Sequence, residues 1–367
     1  MLKAVDSKTE VPQALNNIPH GDCVVVGVGA RTCIGLDALQ TTLGIRAELL
    51  RPADTRFVDK DGDLVGMCCV RCLSTAETGA KRLIALAAPA MQEAARSWRR
   101  VEEARRGVAN SLPLVVAVPE GVVEYSRARQ KSLFLEALEA AVPGLIDVAR
   151  SHEIIGGRAA GVQALGRAVD MLQAGAEAVL VGGVDSYYDP DRLDALSEAL
   201  RLHGMGTENG FIPGEAAAFI VLTHRHHAAS LTRYASILGH GMENEPRPFG
   251  SDDPCQALGM TAALRKATTA VGARRMIGWQ LTDVVNERHR VDEWQYATGR
   301  TFQLFTDDVL HEQPLVTIGD VGTAAATLFI VEAAVRWQTA CGLSDLAVLA
   351  LHSDGPERGA VLIASEQ

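Results

Sequence analysis

The chain has little that would hold a polyanion. Its 35 Lys and Arg are outnumbered by 45 Asp and Glu, for a formal net charge of −10, and aromatics make up only 5%. With no basic stretch interleaved with aromatic residues, the composition argues against a nucleic-acid groove and an anionic membrane surface. No apolar run approaches the roughly 20 residues that cross a bilayer. The polar start MLKAVDSKTEVPQ lacks the apolar core of a secretory signal, so cytoplasmic residence is expected. Cysteine is sparse as well. Seven in 367 residues, an odd number, suit reduced thiols packed as small apolar groups better than a disulfide framework.

What is abundant is apolar sequence, 47% of the chain, enough for one large core or two fused smaller ones. Short β-branched runs alternate with amphipathic stretches: CVVVGVGA from Cys23, a helix from about Leu36, the helix AKRLIALAAPAMQEAARSW, the strand LPLVVAVP and the helix KSLFLEALEAA. This alternation predicts an α/β layered domain. HEIIGGRAAGVQALGRAVDMLQAGAEAVLVGG, His152 to Gly183, then reads as a loop, a helix over Ala159–Ala174 that is apolar nearly all round, and a buried strand.

After the polar HRHHAASLTR the order restarts with strand YASILGHGM, helix PCQALGMTAALRKATTAVG, strand IGWQLTDVV and a helix around Asp292 to Phe302. IGDVGTAAATLFIVEAAVRWQTACG followed by LAVLAL repeats the sequence of Gly-rich loop, buried small-residue helix and apolar strand. Two related halves are a duplication. The expected division is a polar N-terminal extension over residues 1–22, a first half over 23–230 and a second over 231–367.

The residues VVVGVGARTCIGLDALQTTLG, NGFIPGEAAAFIVL (Asn209 to Leu222) and GGRAAGVQALGRAVDMLQAGAEAVLVGGVDS resemble the thiolase superfamily, and more narrowly the β-ketoacyl-ACP synthases. The resemblance implies a thiolase-like five-layered αβαβα fold built from two duplicated βαβ-rich halves. In that family a cysteine opens the buried helix, where the helix N-terminus lowers its pKa and backbone N–H groups hold the oxyanion. Here Arg158, Ala159, Ala160 and Gly161 stand in its place. A guanidinium stays protonated and cannot attack a thioester.

The two family histidines correspond to Asp320 and Arg288, and the C-terminal Gly-Phe-Gly-Gly loop reads SDGPERG, with Asp354, Gly355 and Gly359 at the former oxyanion loop. Gly214 and Glu215 keep the family's structural motif, in which the Glu braces the floor. The resemblance therefore implies a catalytically degenerate protein without cofactor or metal, with Arg158 and Asp320 paired across the halves.

Other motifs read more plainly as structure. Cys69 and Cys72 form one Cys-x-x-Cys without a second pair, a weak zinc signal beside a thiol-lined core strand. Cys33 sits where the family has an ordinary turn residue, which favours buried packing over a replacement nucleophile, and a one-residue shift in a shortened loop redirects the His289 side chain from the family histidine's place. His224, His226 and His227 suit a solvated loop, and His240 a core or rim position. GVGARTCIG has Gly27 and Gly29 but Thr32 where a dinucleotide loop needs its third glycine. Asp283, Asp292 and Glu293 sit on a strand and a helix start, where carboxylates cap helices.

For function, the resemblance implies an accessory or adaptor acting through protein contacts as a homodimer or with a thiolase-like paralogue. Degenerate proteins of this kind occur beside genes of type VI secretion effectors and their adaptors. Alternatives are a chain-length-factor-like partner of an active ketosynthase and its ACP, although such partners usually carry Gln at the lost position, and a residual acyltransferase or decarboxylase with a rearranged site.

Overall fold

Val24 and Val26 of the first strand face one apolar cluster, while Cys23, Val25, Val28 and Ala30 face another. The switch from odd to even positions follows a β-bulge between Val25 and Gly27, which resets the alternation by one residue. A Cβ at Gly27 or Gly29 would overlap the carbonyl of Ala94 or Ala90, so these glycines admit a helix backbone onto the strand.

The computed structural model describes residues 21–120, 125–126, 131–204, 207, 209–272 and 276–366; of the expected N-terminal extension, residues 1–20 lie outside them. In chain order run β1 (Cys23–Thr32), α1 (Ala38–Arg46), β2 (Ala53–Val58), β3 (Leu64–Met67), α2 (Gly79–Arg106) and β4 (Leu114–Val118). Next come β5 (Tyr125–Ser126), β6 (Lys131–Ser132), α3 (Leu133–Ala141), β7 (His152–Ile155), α4 (Ala160–Gln173), β8 (Ala178–Ser186), α5 (Pro190–Glu198) and β9 (Glu215–His224). The second half holds β10 (Ala235–Asn244), α6 (Leu258–Ala267), β11 (Ile277–Thr282), α7 (Arg288–Thr301) and β12 (Phe305–Glu312). It closes with α8 (Leu315–Ile318), α9 (Ala325–Gln338), β13 (Leu346–His352) and β14 (Glu357–Ser365).

Ten strands hydrogen-bond in the order β12-β11-β13-β14-β10-β1-β9-β8-β4-β7. Outward from the β1–β10 seam, each arm repeats the same pairings. β1–β9 and β9–β8 are antiparallel, then β8–β4 and β4–β7 parallel. β10–β14 and β14–β13 are antiparallel, then β13–β11 and β11–β12 parallel. The duplication is thus written in strand order and direction.

The clusters give the layers. α2 and α3 cover the outer face of the first arm, and α6 and α7 that of the second. The inner faces of both arms, such as Val179, Val181, Leu349 and Val361, share one core with α4 and α9. The result is the αβαβα sandwich, because each strand buries alternate residues on both faces. Where the two central helices cross, a Cβ on Gly161 would lie 2.6 Å from Ala326 Cβ, so glycine sets their distance.

Three elements differ from the sequence reading. His152–Ile155, read as a loop, is the edge strand β7, paired to β4. α4 is not apolar all round: Gln163, Arg167, Asp170 and Gln173 form an exposed stripe at helical spacing, and of the two central helices it is α9 that is buried along nearly its whole length. α7 begins at Arg288, earlier than Asp292. No helix among the described residues is long and apolar enough to cross a membrane.

Candidate functional site

The start of α4 and the turn before α9 face each other between the sheets. Asp320 is fixed there by backbone bonds to the NGFIPGE segment: its N–H donates to Ile212 O, and Gly214 N–H donates to its carbonyl, both at 2.8 Å. A Cβ at Gly214 would meet Ile318 O at 2.6 Å. One carboxylate oxygen of Asp320 accepts the Gly322 N–H at 2.9 Å. Gly322 has φ +51, and any side chain there would overlap the Asp185 carboxylate.

Arg158, 3% exposed, reaches from the α4 side. Its Nη2 and Nε donate to Asp320 Oδ2 at 2.6 and 2.8 Å. Nη1 donates to Asp354 Oδ1 at 3.0 Å and to His352 O at 3.3 Å.

The pair belongs to a closed ring of alternating charge. Asp320 also takes Arg290 Nη2 at 2.9 Å. Arg290 Nη2 is 2.6 Å from Glu287, Glu287 is 2.7 Å from Arg201 Nε, and Arg201 Nη1 is 2.7 Å from Asp354. Asp354 returns to Arg158. Three guanidiniums and three carboxylates therefore alternate without a break, and their formal charges cancel.

The floor is Phe211: Arg290, Arg201 and Arg158 lie 5.4, 5.5 and 6.0 Å from its ring centroid. An aromatic face attracts cations most when water is excluded. Burial alone would raise the Asp320 carboxyl, but Arg158 and Arg290 override it and hold the group well below the usual carboxylate range. Asp354 is likewise depressed against its burial, by Arg158 and Arg201.

Two further buried pairs support the ring. His352 Nδ1 lies 2.7 Å from Asp283, whose other oxygen accepts the His352 N–H. Glu215 takes Arg82 in a two-point grip at 2.6 and 2.8 Å, with Val70 N–H and Ser186 Oγ on the same carboxylate. At the α4 tip the Ala159 N–H donates to Ser353 Oγ at 3.2 Å, so a hydroxyl of the second half already occupies that helix-end donor.

A cavity of about 390 Å³ opens beside Arg158, lined by Asp185, Tyr187, Arg192, Ser353, Asp354 and Glu357 among others. No family model matches the sequence, and no curated protein matches it. Solved structures do. One is a chain of AntDE:AntF, a type II PKS acyl-carrier protein in complex with its ketosynthase, at TM-score 0.75 and 14% identity over 95% of this chain and 100% of that one. The ishigamide ketosynthase/chain length factor superposes at TM-score 0.73 and 14% identity, again over 95% and 100%. A ketosynthase from module 6 of the bacillaene synthase of Bacillus subtilis 168 gives 0.72 and 15% over 94% and 72%.

The chain has the thiolase-like ketosynthase fold. In this ketosynthase fold the α4 tip carries a guanidinium, and no cysteine or histidine is among the described residues lining the adjoining cavity. Arg288, aligned with a family histidine by resemblance, is not in the ring. Its side chain is 86% exposed beside Asp292 on the first turn of α7, and Arg290, two residues on, turns inward instead. His289 stacks on Phe249 at 4.1 Å, and burial pushes its pKa down to about 4.

The remaining sequence candidates scatter. Cys33 donates to Ile318 O at 3.7 Å, while Cys68 makes an isolated bridge to Gly214 just after β3 and Cys69 and Cys72 lie on no strand, so the expected thiol-lined core strand does not form. Gly355 packs over Glu357 and Gly359 against Val162. Asp283 and Glu293 cap no helix; Glu293 binds Arg358 at 2.6 Å.

Sequence reasoning missed Arg201, Glu287 and Arg290. Glu287 and Arg290 sit three apart at a helix start, a spacing that places side chains together. Arg201 follows α5 in a loop with no motif to mark it.

Proposed function

We propose that this protein is a catalytically degenerate ketosynthase-fold accessory that works by contacting other proteins, not by acyl transfer. The observation that carries the reading is the closed Arg158–Asp320–Arg290–Glu287–Arg201–Asp354 ring. A guanidinium offers no lone pair for attack on a thioester. Each ring member already holds its counter-charge, so admitting a substrate would strand a buried ion.

The protein pairs with a second ketosynthase-fold chain through β7. Among the described residues this strand ends the ten-stranded sheet, and Ile155 on it is 51% exposed. The polar stripe of α4 lies next to it, with Arg167 Nη2 and His152 Nε2 3.2 Å apart. As an adaptor, such a pair would hold a protein cargo, with a type VI secretion effector the candidate from the resemblance.

A second reading, a partner of an active ketosynthase, draws support from the likeness to the ketosynthase/chain length factor and the ketosynthase–carrier protein complex. Affinity purification from the native cell separates the two: a secreted toxin supports the adaptor, and an acyl carrier protein or intact ketosynthase supports the partner. Intact-mass spectrometry after incubation with acyl-CoA and malonyl-ACP tests the shared premise. Unchanged mass and no decarboxylation are expected; an acylated protein overturns it. Light scattering of Ile155→Lys tests the β7 pairing, with loss of the dimer expected.

A further inference from the structure

Away from the ring, three side chains from separate elements of the second half converge without a motif to announce them. Glu245 follows β10, Cys255 lies in the loop before α6, and Glu293 is on α7. One ligand atom from each lies within 4.8 Å of the others. Glu245 is 2% exposed, and its Oε1 has no hydrogen-bond partner. Its Oε2 accepts the Gly259 N–H at 2.8 Å.

Glu293, 3% exposed, is gripped by Arg358, with Nε–Oε1 2.6 Å and Nη2–Oε2 3.1 Å. Cys255 Sγ accepts the Ala257 N–H at 3.4 Å. A buried carboxylate oxygen with no donor is costly to leave unmade, and it belongs to one of the three side chains that come together here.

We propose that Glu245, Cys255 and Glu293 bind a zinc-class divalent cation, with one thiolate and two carboxylate ligands. Charge balance favours it. At formal charge, two carboxylates against one Arg358 guanidinium leave the buried cluster one negative charge in excess. A dication that displaces the thiol proton to solvent brings the cluster to neutrality.

The donor set selects the metal class. Zinc accepts sulfur and oxygen together, whereas magnesium and calcium take oxygen alone. Arg358 then orients Glu293 from behind, the role of a group that positions a ligand without touching the metal. The bound ion ties the loop after β10 to α7 and leaves a coordination position for water.

The test is zinc titration of chelator-stripped protein against a chromogenic chelator. One equivalent bound is expected, with affinity at least about tenfold weaker in Cys255→Ser and Glu245→Gln. Cobalt supplies a second readout. Its sulfur-to-metal charge-transfer band should appear in the wild type and in Cys72→Ser and vanish in Cys255→Ser, a near-isosteric change whose folding circular dichroism checks. A wild type that binds no zinc at micromolar concentration, or a Cys255→Ser protein that binds as tightly, overturns the site.

Discussion

Arg158 and Asp320, 162 residues apart in the chain, meet at 2.6 Å between the two halves, and Asp320 shares the same oxygen with Arg290. The ring around them takes Arg158 and Arg201 from the first half and the other four members from the second. It therefore ties the halves together beside the core they share around α4 and α9 and the three paired positions of the β1–β10 seam.

Breaking one member should cost more than removing a pair. Arg158→Ala leaves the Asp320 carboxylate buried with one guanidinium in place of two, a change of about 3–5 kcal/mol by analogy with buried pairs. Arg158→Met with Asp320→Leu removes both charges and should recover part of that loss. Urea midpoints of the two singles and the double give the coupling.

Arg290 and Arg288 make a sharper comparison, since they differ by two positions on one helix. Arg290→Ala strips a partner from Asp320 and Glu287 and should destabilise by several times more than Arg288→Ala. The latter removes only an exposed i,i+4 contact at 3.4 Å, and its effect should stay within about 0.5 kcal/mol. Equal shifts in denaturation midpoint would remove Arg290 from the ring.

Much of this architecture was legible. β1, β4, β8, β11 and β13 announce themselves as apolar runs between turn residues, and the repeated Gly-rich loop, helix and strand predicts the mirrored arms. The edges were not. β7 has only four residues with no alternation, and it is a strand because β4 offers it a parallel partner. α4 looked apolar from its Ala and Gly, yet its polar residues recur at helical spacing and share one face.

At the site, Arg158 and Asp320 stand at helix starts where a motif marks the register. Arg290 and Arg201 enter from elements whose inward face only the tertiary packing decides. One residue of helical phase at the start of α7 turns the side chain by about 100°, which is why Arg288 and Arg290 were not separable from spacing.

Asp320 also gives the ring a pH signature. Its folded-state pKa lies below the unfolded value of about 3.9. A depressed carboxyl contributes stability that is complete above about pH 4 and is lost as pH falls through the folded pKa. Thermal melts from pH 6 to pH 2 should show a steep acid limb that Asp320→Asn flattens, at the expense of a lower Tm near neutrality. Asp354 shifts in the same direction, but its side chain is 45% exposed, so Asp354→Asn should flatten the limb less.

Glu332 carries the opposite sign. It lies in the centre of α9, fully buried, with no hydrogen-bond partner on either carboxylate oxygen. Arg336, one turn on, is committed elsewhere: its Nη1 meets both oxygens of Glu312 at 2.7 Å, and it stays 3.7 Å from Glu332. Burial, reinforced by the Glu312 charge, pushes Glu332 up to about 8.

The folded chain thus keeps a proton that the unfolded chain releases near pH 4.3. Stability from this group is complete below that pH and declines as pH rises toward 8, at about 1.36 kcal/mol per pKa unit. Glu332→Gln keeps the shape and cannot ionise. Its Tm should exceed that of the parent increasingly from pH 6 to pH 9, and the gap should close at pH 4. Parallel Tm profiles for the two proteins across that range would show that Glu332 is ionised in the folded state at neutral pH.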